Sequence, residues 1–79
     1  MERVLFDYAK LDGRITEKCR TRKAFAQRLG VTEATLSRKM NCEGYFTQPE
    51  IDKSAGILEI SQDQIGTYFF TMRVQEIEQ

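Results

Sequence analysis

Five side chains on one short stretch have the types and spacing of a base-reading surface: Thr32, Glu33, Ala34, Thr35 and Arg38. A guanidinium can take guanine O6 and N7 together. A carboxylate can accept from cytosine N4, and the methyls of Ala34 and Thr35 can meet a thymine methyl. Around them Thr21, Arg22, Lys23, Ser37, Lys39 and Asn41 are the types that hold a phosphate backbone. The chemistry this predicts is noncovalent recognition of double-stranded DNA. Covalent chemistry has little to work with, because the chain has no histidine, no nucleophile beside a base and no phosphate-cradling glycine loop. No catalytic residue, cofactor or metal is expected, and Tyr45 and the scattered carboxylates read as surface. Cys19 and Cys42 lack metal-ligand spacing; a disulfide stays open, and buried thiols are the preferred reading.

To present such a surface, the chain needs a helix held outward by a second one. Thr21 is a good cap for a helix over Arg22–Leu29, with Phe25, Ala26 and Leu29 on one face. Gly30 suits the left-handed turn that ends it. Thr32 then caps a helix over Glu33–Met40, with Val31 as a staple onto Leu36, and with Leu36 and Met40 inward. Small Ala26 at the crossing, Gly30 at the turn and Val31 with Leu36 in the angle make a helix-turn-helix pattern.

The rest of the chain reads as short helices. Asp7 is the cap expected for a helix from Tyr8 to about Lys18, with Tyr8, Leu11, Ile15 and Cys19 inward and Lys10, Arg14 and Lys18 outward. Gly13 lies inside it, and a close helix contact would explain it. Phe46-Thr-Gln-Pro-Glu-Ile51 is the clearest start signal, with Thr47 and Glu50 as a capping box, Pro49 in the first turn and Phe46 stapling Ile51. That helix should reach Leu58. Ser61 and Gln64 repeat the device for a short last helix to about Phe70. The expected layout is one domain over 1–79, with a core over about 7–70 and arms at 1–6 and 71–79. Val4-Leu5-Phe6 either packs as a staple or pairs with the chain's end. Residues 71–79 read as strand, helical extension or tail alike.

The formal net charge is zero, but it is unevenly spread. Arg14 to Met40 holds eight bases against Glu17 and Glu33, a surplus of +6; the remainder holds four bases and ten acids, −6. Such a layout suits one face turned to phosphate. There is no long apolar run, so no membrane span is expected, and no signal peptide is visible, so a cytoplasmic place is expected.

The stretch from Thr21 to Asn41 resembles the helix-turn-helix of lambda-repressor-like DNA-binding domains. The wider pattern is similar to small Cro-like regulators of phages and prophages. Phe6-Asp-Tyr-Ala-Lys-Leu-Asp-Gly-Arg-Ile15, Lys23-Ala-Phe-Ala, Leu36-Ser-Arg-Lys, Phe46-Thr-Gln-Pro-Glu-Ile51 and Ile65-Gly-Thr-Tyr-Phe-Phe70 carry the likeness over nearly the whole chain. It implies an all-α domain of five short helices, with helices 2 and 3 forming the helix-turn-helix, no catalysis and a role in transcriptional control. The helix at 33–40 would lie in the major groove of an operator. Arg22 stands where the superfamily commonly has a glutamine that braces that helix.

Two copies on half-sites roughly 34 Å apart are the usual arrangement for such domains. Tyr68, Phe70, Met72 and Val74 are the candidate surface of a homodimer, unless the aromatic residues close the monomer core. The alternative function is a protein-binding modulator, an anti-repressor that grips a partner repressor through the same face.

Overall fold

In a computed structural model, residues 5–73 are described. They form five α-helices: α1 (Ala9–Cys19), α2 (Arg22–Leu29), α3 (Glu33–Met40), α4 (Gln48–Leu58) and α5 (Ile65–Phe69), with a 3-10 turn at Gln62–Gln64 before the last. The fold is all-α, and among the described residues the only extended pairing is an isolated antiparallel bridge between Phe6 and Met72. The Asp7 N–H donates to the Thr71 carbonyl at 2.7 Å, and the Arg73 N–H to the Leu5 carbonyl at 2.9 Å. The start of the described chain therefore pairs with its end, and Leu5 and Phe6 also pack against the core.

Caps set the helix starts. Thr21, Thr32 and Thr47 each accept a backbone N–H three residues on, from Ala24, Thr35 and Glu50. Glu50 returns the bond to the Thr47 N–H at 2.9 Å, completing the capping box. Asp7 accepts from the Ala9 N–H at 2.9 Å, so the first helix begins one residue later than expected, after Tyr8. Ser61 makes no side-chain cap; the chain instead tightens there into the 3-10 turn, with the Gln64 N–H on the Ser61 carbonyl.

The inward faces meet in one core. Leu11, Ile15, Phe25, Leu36, Leu58 and Phe69 are essentially buried within it, and Val31 packs against it from the turn. Ala26 is buried between α2 and its neighbours, where a larger side chain would force them apart. Gly13 serves no close contact, since a Cβ there meets nothing within 4 Å. Cys19 and Cys42 are free and buried. The Cys42 thiol accepts from the Phe6 N–H at 3.2 Å and donates to the Phe6 carbonyl at 3.5 Å, tying the first described segment to the α3–α4 loop. The Tyr8 hydroxyl is pushed up to about 12, chiefly by burial and then by the neighbouring Cys42 and Tyr45.

Helix ends follow a different rule from the starts. Only α2 ends on a glycine, Gly30 at φ 91°. Arg20, Cys42 and Glu59 hold positive φ without being glycine, a conformation that costs about 1–2 kcal/mol each. At Glu59 the compensation is visible. Arg14 Nε donates to the Leu58 carbonyl and Nη2 to the Glu59 carbonyl, each at 2.8 Å. These bonds satisfy the carbonyls that the end of α4 leaves unpaired. Lys18 adds an ion pair to Glu59 at 3.5 Å. Arg14 and Lys18, expected on the solvent side of α1, are instead turned toward the end of α4.

At the α3–α4 corner, Lys39 Nζ lies 2.6 Å from a Glu50 carboxylate oxygen and donates to the Tyr45 carbonyl at 3.2 Å. It also stands 6.0 Å from the centre of the Phe46 ring. Burial acts upward on the Glu50 carboxyl. The hydrogen bonds from Lys39 and Thr47 and the Lys39 charge outweigh it, so the group lies below its ordinary 4.5.

Two outcomes test these contacts. Arg14→Ala should lower unfolding free energy by about 1–3 kcal/mol in urea titrations, because it strands two carbonyls; a loss within error would show that the bonds contribute nothing. A carboxylate held below its ordinary value contributes stability above that value and loses it as pH falls through the folded one. Wild type should therefore lose stability below pH 4.5, and Glu50→Gln should flatten that part of a melting-temperature profile.

Candidate functional site

The outer side of α3 is the surface the fold holds outward. Leu36 and Met40 anchor its inner side. Thr32, Glu33, Ala34 and Arg38 are exposed, and Thr35 and Ser37 are half-buried at its margins. The polar side chains are ordered among themselves. Thr32 Oγ1 donates to Thr35 Oγ1 at 2.9 Å while accepting the Thr35 N–H at 3.1 Å. Arg38 Nη2 reaches Thr35 Oγ1 at 3.5 Å. Thr32, Thr35 and Arg38 thus form a row along the helix, three residues apart, with Glu33 and Ala34 beside it. Of the five side chains expected to read bases, hydrogen bonds bring Thr32, Thr35 and Arg38 together, and Glu33 and Ala34 are exposed on the same turn.

The residues expected to hold phosphate differ in their surroundings. Lys39 is spent on Glu50 and the Tyr45 carbonyl, and its side chain is only 15% exposed. That pairing turns it toward the α3–α4 corner. Arg22 donates through Nε to Asp12 at 2.9 Å, bracing α2 against α1. Thr21 is committed to its cap. Lys23 and Asn41 are exposed and Ser37 half-buried. Of the eight bases between Arg14 and Met40, four are ion-paired: Arg14, Lys18, Arg22 and Lys39. Three of these pairs draw on acids outside the segment, Asp12, Glu50 and Glu59, which halves its surplus of +6; Arg20, Lys23, Arg28 and Arg38 make no ion pair among the described residues.

The candidate dimer residues separate. Tyr68 is buried in the monomer core, with Lys10 Nζ 5.3 Å from its ring centre, so it offers no surface for a second copy. Phe70 and Met72 are 51% and 60% exposed. Val74 lies outside the described residues.

A feature the sequence reading missed lies on another side. The Phe6 ring meets Tyr45, edge-on, and Phe70 with centroids 6.0 Å apart in each case. These aromatics come from three separate segments, so no periodicity links them. The only signal was an aromatic residue in each arm and loop.

Among the described residues, no helix is long and apolar enough to cross a membrane. The model of a family described as proteins of unknown function, DUF739, matches residues 4–72, and the chain belongs to that family. No curated protein matches. Among solved structures, the chain is similar to the solution structure of the modulator of repression of the temperate bacteriophage TP901-1 from Lactococcus lactis. The TM-score is 0.74 and the identity 42%, covering 82% of this chain and 88% of that one. This finding overturns the expectation of a sequence-specific DNA-binding repressor of Cro type. The similar protein is a modulator of repression, and the internal pairing of Lys39 and Arg22 is the physical counterpart of that correction.

Proposed function

We propose that this member of the DUF739 family is a noncatalytic modulator that binds a partner repressor protein through the outer side of α3. The observation that carries the reading is the likeness, at 42% identity over most of both chains, to a phage modulator of repression. The α2–α3 pair is a lambda-repressor-like helix-turn-helix in form, turned from base reading to protein contact, and it would work in the cytoplasm of the host cell.

The chemistry of the face suits that use. Ala34 offers a small apolar spot, the Thr32–Thr35–Arg38 row offers donors and acceptors already in place, and Glu33 offers a single negative charge. A preordered face loses less side-chain freedom on docking. Glu33 opposes phosphate, whereas a repressor surface that itself binds DNA is rich in cations and would welcome it.

The test mixes this chain with the purified repressor encoded in the same genome and follows the complex by sedimentation. Wild type should form a complex. Ala34→Arg, on an exposed position that leaves the core untouched, should weaken it about tenfold or more by crowding the contact. Lys23→Ala should leave it within about twofold, as expected of a rim charge. No complex with the repressor, or equal loss from both variants, would contradict the reading.

A further inference from the structure

A second surface lies away from α3. An open groove of about 500 Å³ runs between α4 and the segment from Gln62 to Phe70. No residue of α2 or α3 lines it. Phe46, Ile51, Ile65 and Phe70 supply its apolar lining; the first two are buried, Ile65 is half-buried, and Phe70 stands half-exposed at the rim. Gln48 and Gln62 contribute two amides, and Asp52 is the only charged residue in the lining. The Asp52 carboxylate makes no ion pair among the described residues, unlike Glu50 and Glu59, which are held by lysines.

The geometry points to a docking site for a short protein segment that carries an apolar anchor next to a lysine or arginine. Three observations converge on that occupant. The volume is that of pockets that enclose a small ligand or a few side chains. Its lining pairs apolar surface with amides, which can meet the backbone donors and acceptors of a peptide. Its charge is negative, and no ion pair among the described residues balances it, so a cation on the incoming segment completes it. At Gly66 the wall is bare backbone, and a Cβ there meets nothing within 4 Å, so a segment can approach closely. This site is independent of the α3 reading, because the two share no residue.

The test uses the whole chain, isotope-labelled for amide NMR, and two synthetic tetrapeptides with blocked ends. One is leucine–phenylalanine–lysine–lysine, and the other replaces both lysines with glutamates. The basic peptide should shift the amides of Asp52, Gln62 and Gly66 and leave those of Glu33 and Arg38 in place. The acidic peptide should shift none of them at the same concentration. Gly66→Phe, which grows a ring into open space, and Asp52→Lys, which reverses the charge, should each weaken the basic peptide by about tenfold or more. If Gly66→Phe loses its native spectrum, Asp52→Lys decides alone, since that exposed side chain makes no ion pair among the described residues. Absence of shifts, equal shifts from the acidic peptide, or shifts that persist unchanged in the folded variants would overturn the site.

Discussion

The ion pair between Lys39 and Glu50 is the contact on which the arrangement of the presenting helix depends. It joins the last turn of α3 to the first turn of α4 across 2.6 Å. The same carboxylate accepts the Thr47 N–H, so one side chain serves both the cap of α4 and the seat of α3. Partial burial strengthens the attraction and raises the cost of breaking it from one side. With that corner fixed and Leu36 in the core, the outer row of α3 has one direction in which to face.

The same pairing alters what the basic segment can do. A DNA reader needs cations at its rim, free to displace counterions from phosphate. Here the lysine best placed on α3 is turned inward, Arg22 spans to α1, and Arg14 and Lys18 secure the end of α4. What remains outward on α3 is a small polar face with one acid and one arginine, while Arg20, Lys23 and Arg28 stay exposed elsewhere in the segment. Such a face is better matched to another protein, where a few ordered hydrogen bonds and a close fit give specificity, than to a polyanion.

The helix starts were legible because caps are local. Thr21, Thr32 and Thr47 act within three residues of themselves, and glycine at position 30 announces its turn. The helix ends were less so. Cys42 and Glu59 adopt positive φ through bonds to Phe6 and from Arg14, which no local rule contains. Ser61 has the spacing of a cap, yet the chain there closes as a 3-10 turn. The row of Thr32, Thr35 and Arg38 was readable from helical spacing alone. The role of that face was not, because the count of bases in a segment does not say where each side chain ends. Lys39 meets an acid eleven residues away and Arg22 one ten residues back; both pairings depend on how the helices cross. The aromatic contact of Phe6, Tyr45 and Phe70 was hidden for the same reason.

The central claim is that the face on α3 recognises protein and not the phosphate backbone. Its most direct test is fluorescence anisotropy of a labelled random-sequence duplex titrated with this chain across a salt series. The account predicts weak binding with a shallow dependence on salt, since on α3 Arg38 is opposed by Glu33 and Lys39 is paired with Glu50. Tight binding that falls steeply as salt rises, and that Arg38→Ala relieves at one base position, would contradict it.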